Sequence, residues 1–137
     1  MMLESGARPP DSAWCPALKH SSLAGFIRHT QEDMAHNVYV VELDPAVRER
    51  PQFAAANPDA RPDKPCLYVG LTGLSPEKRF ERHKAGIQAS AIVKRFGLRL
   101  RPRFYQRYNP MPYDEAVGME GELARRLRKR GFAVWQN

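Results

Sequence analysis

Two runs of β-branched and aromatic residues, Asn-Val-Tyr-Val-Val-Glu-Leu at 37–43 and Cys-Leu-Tyr-Val-Gly-Leu at 66–71, are kept apart by a segment that no long regular element can cross. That segment holds Pro45, Pro51, Pro58, Pro62 and Pro65, and each proline fixes φ and removes a backbone donor. The runs read as strands. The proline-rich insertion at 44–65 is a long connection with room for one helical turn near Phe53–Ala56. Loops of this length are commonly functional or mobile.

Helical signals follow the second strand. Ser75 is a capping residue, Pro76 suits the first helical position and Glu77 favours the positive end. The helix is expected to run to about Ala85, to stop at Gly86 and to be anchored by Phe80 and Ile87. A short helix of about Ala89–Phe96 should stop at Gly97. Leu98–Tyr105 alternates apolar residues or proline with arginine, a strand pattern with one basic face, and Pro102 places it at a sheet edge. A proline-containing turn, Asn109–Pro112, leads into a helix from about Tyr113 to Arg130 capped by Gly131. Phe132–Trp135 is a short terminal strand or a packed tail.

Ahead of the first strand, residues 1–15 read as a loose tail. Leu18, Leu23, Phe26 and Ile27 suggest a short helix within 16–34. The chain of 137 residues is long enough for one core without staples. The expected organisation is a tail at 1–35 followed by one α/β (α+β) domain at 36–137. No apolar run approaches a membrane span, and no basic segment leads into an apolar one as in a signal peptide. Cys15 and Cys66 stand far apart without other marks of a disulfide scaffold, so reduced thiols and a cytoplasmic setting are expected. His20, His29 and His36 with Cys15 match no zinc spacing. Trp14 and Trp135 are expected to be packing residues.

Charge divides the chain. Residues 1–74 carry 7 Lys/Arg against 9 Asp/Glu, whereas residues 75–137 carry 15 against 6. A balance of −2 followed by +9 concentrates anions on one part of the surface. Phosphate backbones are the commonest partner of such a surface; a solvated basic face that aids solubility is the plain alternative. Lys94, Arg95, Arg99, Arg101, Arg103 and Arg107 are candidates to track a backbone. Lys84, with Lys78 and Arg82, is either solvated or in contact with phosphate. The Arg125–Arg130 cluster either joins them or complements a helix C-terminus.

Two placements stand out. Helical spacing gives the last helix an inward stripe of Tyr113, Ala116, Val117, Leu123, Ala124 and Leu127, with Glu120 in its middle. Glu115, Glu122 and Arg126 fall on the other face, and Glu122 and Arg126 form an i,i+4 pair. An inward carboxylate needs a partner: a core arginine on the structural reading, a metal or a proton-transfer partner at a cleft on the functional one. On the earlier helix, Arg79 and His83 are four apart and share a face. Arginine can clamp a phosphate and histidine can exchange a proton near neutrality, although such a pair also occurs on ordinary surface helices.

In this order, Tyr39, then Tyr68-Val69-Gly70, then Arg79 and His83, then Glu120, the chain resembles the GIY-YIG nuclease superfamily over about residues 37–127. Leu67–Gly73 and Arg79–Gly86 carry the most specific part. The resemblance implies a small, three-stranded, mainly antiparallel sheet flanked by helices, cutting phosphodiester bonds with one divalent metal, usually Mg2+. Glu120 would hold the metal, Arg79 would stabilise charge on the phosphate, Tyr39 aided by His83 would help activate water, and Tyr68 would complete the cluster. The first motif reads Asn37-Val38-Tyr39 in place of Gly-Ile-Tyr, with Asn chosen as the residue that best tolerates left-handed backbone. The connection between the tyrosines is longer than the family usual, and Asn137 is the candidate for a late family asparagine.

The leading expectation is thus a metal-dependent endonuclease acting on nucleic acid, DNA before RNA, with a protein partner for targeting as a further expectation. The alternatives are a non-catalytic nucleic-acid-binding module on the same fold, and a small protein-interaction domain that binds through its proline-rich loop.

Overall fold

The computed structural model describes residues 34–136. The loose tail, Cys15, the body of the short helix expected in 16–34, and Asn137 lie outside the described residues. Within them the order is β1 (Asn37–Leu43), a 3-10 turn (Pro45–Glu49), α1 (Pro51–Ala56), β2 (Cys66–Thr72), α2 (Pro76–Ala85), α3 (Ala91–Phe96), β3 (Gly97–Leu100), 3-10 turns at Pro102–Phe104 and Gln106–Tyr108, α4 (Tyr113–Lys129) and β4 (Ala133–Gln136). No helix among the described residues is long and apolar enough to cross a membrane.

The strands form one mixed sheet in the order β3-β1-β2-β4. β1 is antiparallel to both β2 and β3, while β4 runs parallel to β2, with Cys66 opposite Ala133 and Tyr68 opposite Trp135. The sheet has four strands where three were expected, and two of its three pairings are antiparallel as expected. The tail after Gly131 becomes a fourth strand because α4 brings the chain back alongside β2. The two central strands are buried along most of their length, as near-continuous apolar runs should be.

Local signals set the ends of α2. The Ser75 hydroxyl accepts from the Lys78 N–H at 3.1 Å, and Gly86 takes the left-handed conformation at φ +83°. The expected basic strand is shorter than its pattern. β3 stops at Leu100, and Pro102, which cannot donate to a ladder, starts a 3-10 turn. Beyond β3, other groups complete the free edge of β1. The Arg101 N–H donates to the Val40 carbonyl, and His36 and Met111 exchange backbone bonds. Between them the Asn109 side chain acts as a surrogate strand, accepting from the Val38 N–H at 2.9 Å and donating to the Val38 carbonyl at 2.8 Å.

The inward face of α4 differs from the expected stripe. Tyr113 and Val117 are exposed, and Met119 is buried with Ala116, Glu120, Leu123, Ala124 and Leu127. Ile87 is also exposed and does not anchor α2. Cys66 is a buried, free thiol.

The insertion is stapled to the C-terminal elements. The Asn57 Oδ1 accepts from the Val134 N–H at 2.8 Å and from the Arg128 Nε at 3.2 Å, while its Nδ2 donates to the Phe53 carbonyl. The Phe53 ring stacks on Trp135 at 6.3 Å. Val134 is fully buried, so loss of Asn57 strips its N–H of its partner. Asn57→Ala is therefore expected to cost about 1–3 kcal/mol, read as a lower urea midpoint with unchanged slope.

Candidate active site

Side chains alternate across a strand, and Tyr39 stands opposite Gly70 while Val41 stands opposite Tyr68. Tyr39, Gly70 and Tyr68 therefore share one face of the sheet. The two rings lean over the glycine, with centroids 6.1 Å apart. A Cβ at Gly70 would lie 2.8 Å from both Cζ and Oη of Tyr39 and 3.0 Å from Tyr68 Cε1. Gly70 is thus required for the space it leaves within β2. Asn37 likewise sits in β1, without left-handed backbone, and its Nδ2 donates to the Leu74 carbonyl.

His83 is the fully buried residue of α2. Its Nδ1 accepts the Ser90 N–H at 3.0 Å, and its Nε2 lies 2.8 Å from the Tyr39 hydroxyl. An accepting Nδ1 leaves the proton of the neutral ring on Nε2, so His83 donates to Tyr39. Burial, with the charge of Arg79 adding to it, pushes the His83 pKa down to about 4. The same loop holds Arg79, whose Nη2 donates to the Gln88 carbonyl at 2.9 Å. Gln88 itself has a positive φ of 47°. Arg79 and His83, one turn apart on α2, are thus oriented by one short loop.

Burial raises the pKa of the Tyr39 hydroxyl well above its ordinary value; neighbouring Tyr68 adds to the shift and Arg79 opposes it. Tyr68 is also raised, first by burial, with the Glu120 carboxylate contributing and Arg79 opposing. Arg79 thus acts electrostatically on Tyr39, Tyr68 and His83, and Glu120 on Tyr68. Glu120 is 8 % exposed, and its Oε2 is buried without a hydrogen-bond partner. It makes no ion pair among the described residues, so no arginine among them is its partner. Burial pushes its pKa up to about 7.

An orphaned buried carboxylate oxygen fits a hard divalent cation, which binds one or two carboxylates and keeps several waters. Among the described residues no three His, Cys, Asp or Glu side chains gather as a larger ligand set.

The candidate phosphate-tracking residues are distributed differently. Arg99 and Arg101 both bond the Glu42 carboxylate, at 2.6 and 3.0 Å, because Glu42 lies opposite Arg99 in the β1–β3 register. The Lys84 Nζ donates to the Lys94 and Gly97 carbonyls, and Arg95 stacks on Phe96. Arg103 lies exposed on a 3-10 turn. The basic face expected from alternation along β3 is therefore partly neutralised within the sheet. Sequence reasoning missed Ser90 and Asn109. Ser90 acts through a backbone N–H that leaves no mark in residue type. Asn109, beside prolines, read as a turn residue.

No family model matches the chain, and no curated protein or solved structure matches it.

The sign of the Glu120 shift sets a test. A raised carboxyl pKa means the folded chain keeps its proton longer than the unfolded one, so stability falls as pH rises from about 4.5 through about 7. His83 acts oppositely, with stability lost as pH falls from about 6.5 through about 4. At about pH 8 without divalent cation, Glu120→Gln is expected to be more stable than the native chain by about 1–3 kcal/mol. In urea melts across pH the gain should vanish below about 4.5, where both forms of residue 120 are neutral.

Proposed function

We propose that this chain is a metal-dependent phosphodiester hydrolase of the GIY-YIG type, acting on DNA or structured nucleic acid. The observation that supports it best is the packing of the Tyr39, Tyr68 and His83 rings against one another, with the Arg79 charge acting on all three and with a buried glutamate on α4 whose oxygen is unmet.

In this reading Glu120 holds a divalent cation, which when bound supplies positive charge to the phosphate and the leaving oxygen. Arg79, oriented from α2, adds positive charge where negative charge builds on the phosphate. Tyr39 takes the proton of the attacking water at Oη, which requires its phenolate form. Burial holds Tyr39 as a phenol, so its phenolate would depend on the added positive charge of a bound cation; Arg79 favours that form electrostatically, and the His83 Nε2–H would stabilise it by donation. His83 does not itself take that proton, since its Nδ1 is occupied by the Ser90 N–H. Its part is to orient and stabilise Tyr39. Gly70 keeps the two rings close enough for Tyr68 to wall the cluster from water.

A supercoiled-plasmid cleavage assay with Mg2+ tests this. Glu120→Ala, Arg79→Ala and Tyr39→Phe should each lower the rate by at least about 100-fold while DNA binding persists. Binding without cleavage by the native chain would favour a non-catalytic module on the same fold. In a second measurement, the acid limb of the rate profile should lie near the Glu120 value of about 7 and move to lower pH as Mg2+ is raised, because proton and cation compete for one carboxylate. A limb indifferent to Mg2+ would count against Glu120 as the ligand.

A further inference from the structure

A second basic feature lies away from the tyrosine cluster. A groove of about 530 Å3 opens between the insertion, at Ala56–Arg61, and the end of α4 with Gly131 and Phe132. This volume is in the range of ligand-binding clefts. Arg61, Arg125, Arg128, Lys129 and Arg130 line it, against Asp59 alone among acidic residues.

Helix capping does not account for these cations. The Arg126, Leu127 and Arg128 carbonyls at the end of α4 are already taken by backbone: the Arg130 N–H bonds Arg126 and Leu127, the Gly131 N–H bonds Arg128, and the Phe132 N–H bonds Leu127. Arg61 comes from a different part of the chain. Its N–H donates to the Gly131 carbonyl at 2.8 Å, and its stem packs so closely on Gly131 that a Cβ there would lie 2.6 Å from Arg61 Cδ. Asp63 pairs with Arg61 and Glu122 with Arg125, so the excess charge belongs to Arg128, Lys129 and Arg130.

Two of those three heads are held in place. Arg128 donates to Asn57 Oδ1 and, at 2.9 Å, to the Val134 carbonyl. The Arg130 guanidinium lies 5.4 Å from the Phe132 ring and 5.8 Å from that of Phe104. Guanidinium groups fixed in this way lose little freedom on meeting a phosphate. The insertion thereby acquires a role: its Asn57–Arg61 turn builds the second wall of a cationic groove.

We propose that this groove holds backbone phosphates of the nucleic acid, beside the stretch that enters the tyrosine cluster. Glu120 and Arg128 lie eight residues apart on one helix, roughly 12 Å along its axis, which is about three to four steps of duplex at ~3.4 Å per step. The proposal rests on nucleic acid being the substrate, and not on cleavage.

The test is fluorescence anisotropy with a labelled DNA duplex across a salt series, comparing the native chain with a Lys129→Gln/Arg130→Gln double variant whose folding is checked by thermal melting. The double variant should bind about tenfold more weakly, with a salt slope shallower by roughly 1–2. Should the double variant melt below the native chain, Asp59→Asn gives the opposite arm, with tighter binding expected. A folded double variant with native affinity and slope overturns the groove alone. A native chain that binds no duplex at low salt overturns the nucleic-acid reading as well. Preference for polyglutamate over duplex, lost in the double variant, overturns the assignment to phosphates. Binding that weakens as stated supports the groove even if the native chain cuts nothing.

Discussion

The hydrogen bond between His83 Nε2 and the Tyr39 hydroxyl joins α2 to the centre of the sheet. A helix on a small domain usually attaches by an apolar stripe. The Pro76–Ala85 helix has Phe80 half-buried and otherwise presents a fully buried histidine. Its position over β1 thus depends on a polar contact that must be satisfied at both ring nitrogens. The Ser90 N–H supplies the second partner, and the 87–90 loop that carries it also receives Arg79. Local sequence and tertiary need disagree here, and such conflicts are expected where function outweighs stability.

Desolvation sets the electrostatics of the cluster. It keeps His83 neutral, holds both tyrosines as phenols and makes Glu120 reluctant to ionise. Arg79 is the cation that acts on Tyr39, Tyr68 and His83 together. A further positive charge at Glu120 would relieve the orphaned oxygen and draw the carboxyl back to its ionised form. On the proposed reading, that unmet need is what recruits the metal. Groups with strongly shifted pKa values that crowd into one place are often catalytic.

How much of this was legible in the sequence varies by residue. The Ser75 cap, the Gly86 stop and the β-branched runs at 37–43 and 66–71 are local signals, and the elements follow them closely. β4 was ambiguous because a four-residue strand in parallel pairing depends on where α4 returns the chain. The expected long arginine strand shortened because Pro102 outweighed its alternation. On α4, spacing placed Glu120 inward, yet could not tell Val117 from Met119, which flank the same stripe. The approach of Tyr39 to Tyr68 and His83 is a matter of register and helix docking, and spacing along the chain carries neither. Asn57 and Asn109 look like turn residues in sequence, and only the folded chain shows each amide completing a strand.

The most direct test of the cluster is the 15N NMR spectrum of the imidazole nitrogens of His83, followed with pH. The account predicts a ring protonated at Nε2 and bare at Nδ1 that stays neutral until pH approaches about 4. An ordinary titration near 6.5, or a proton found on Nδ1, would contradict it, since neither Ser90 nor Tyr39 would then be bonded as described.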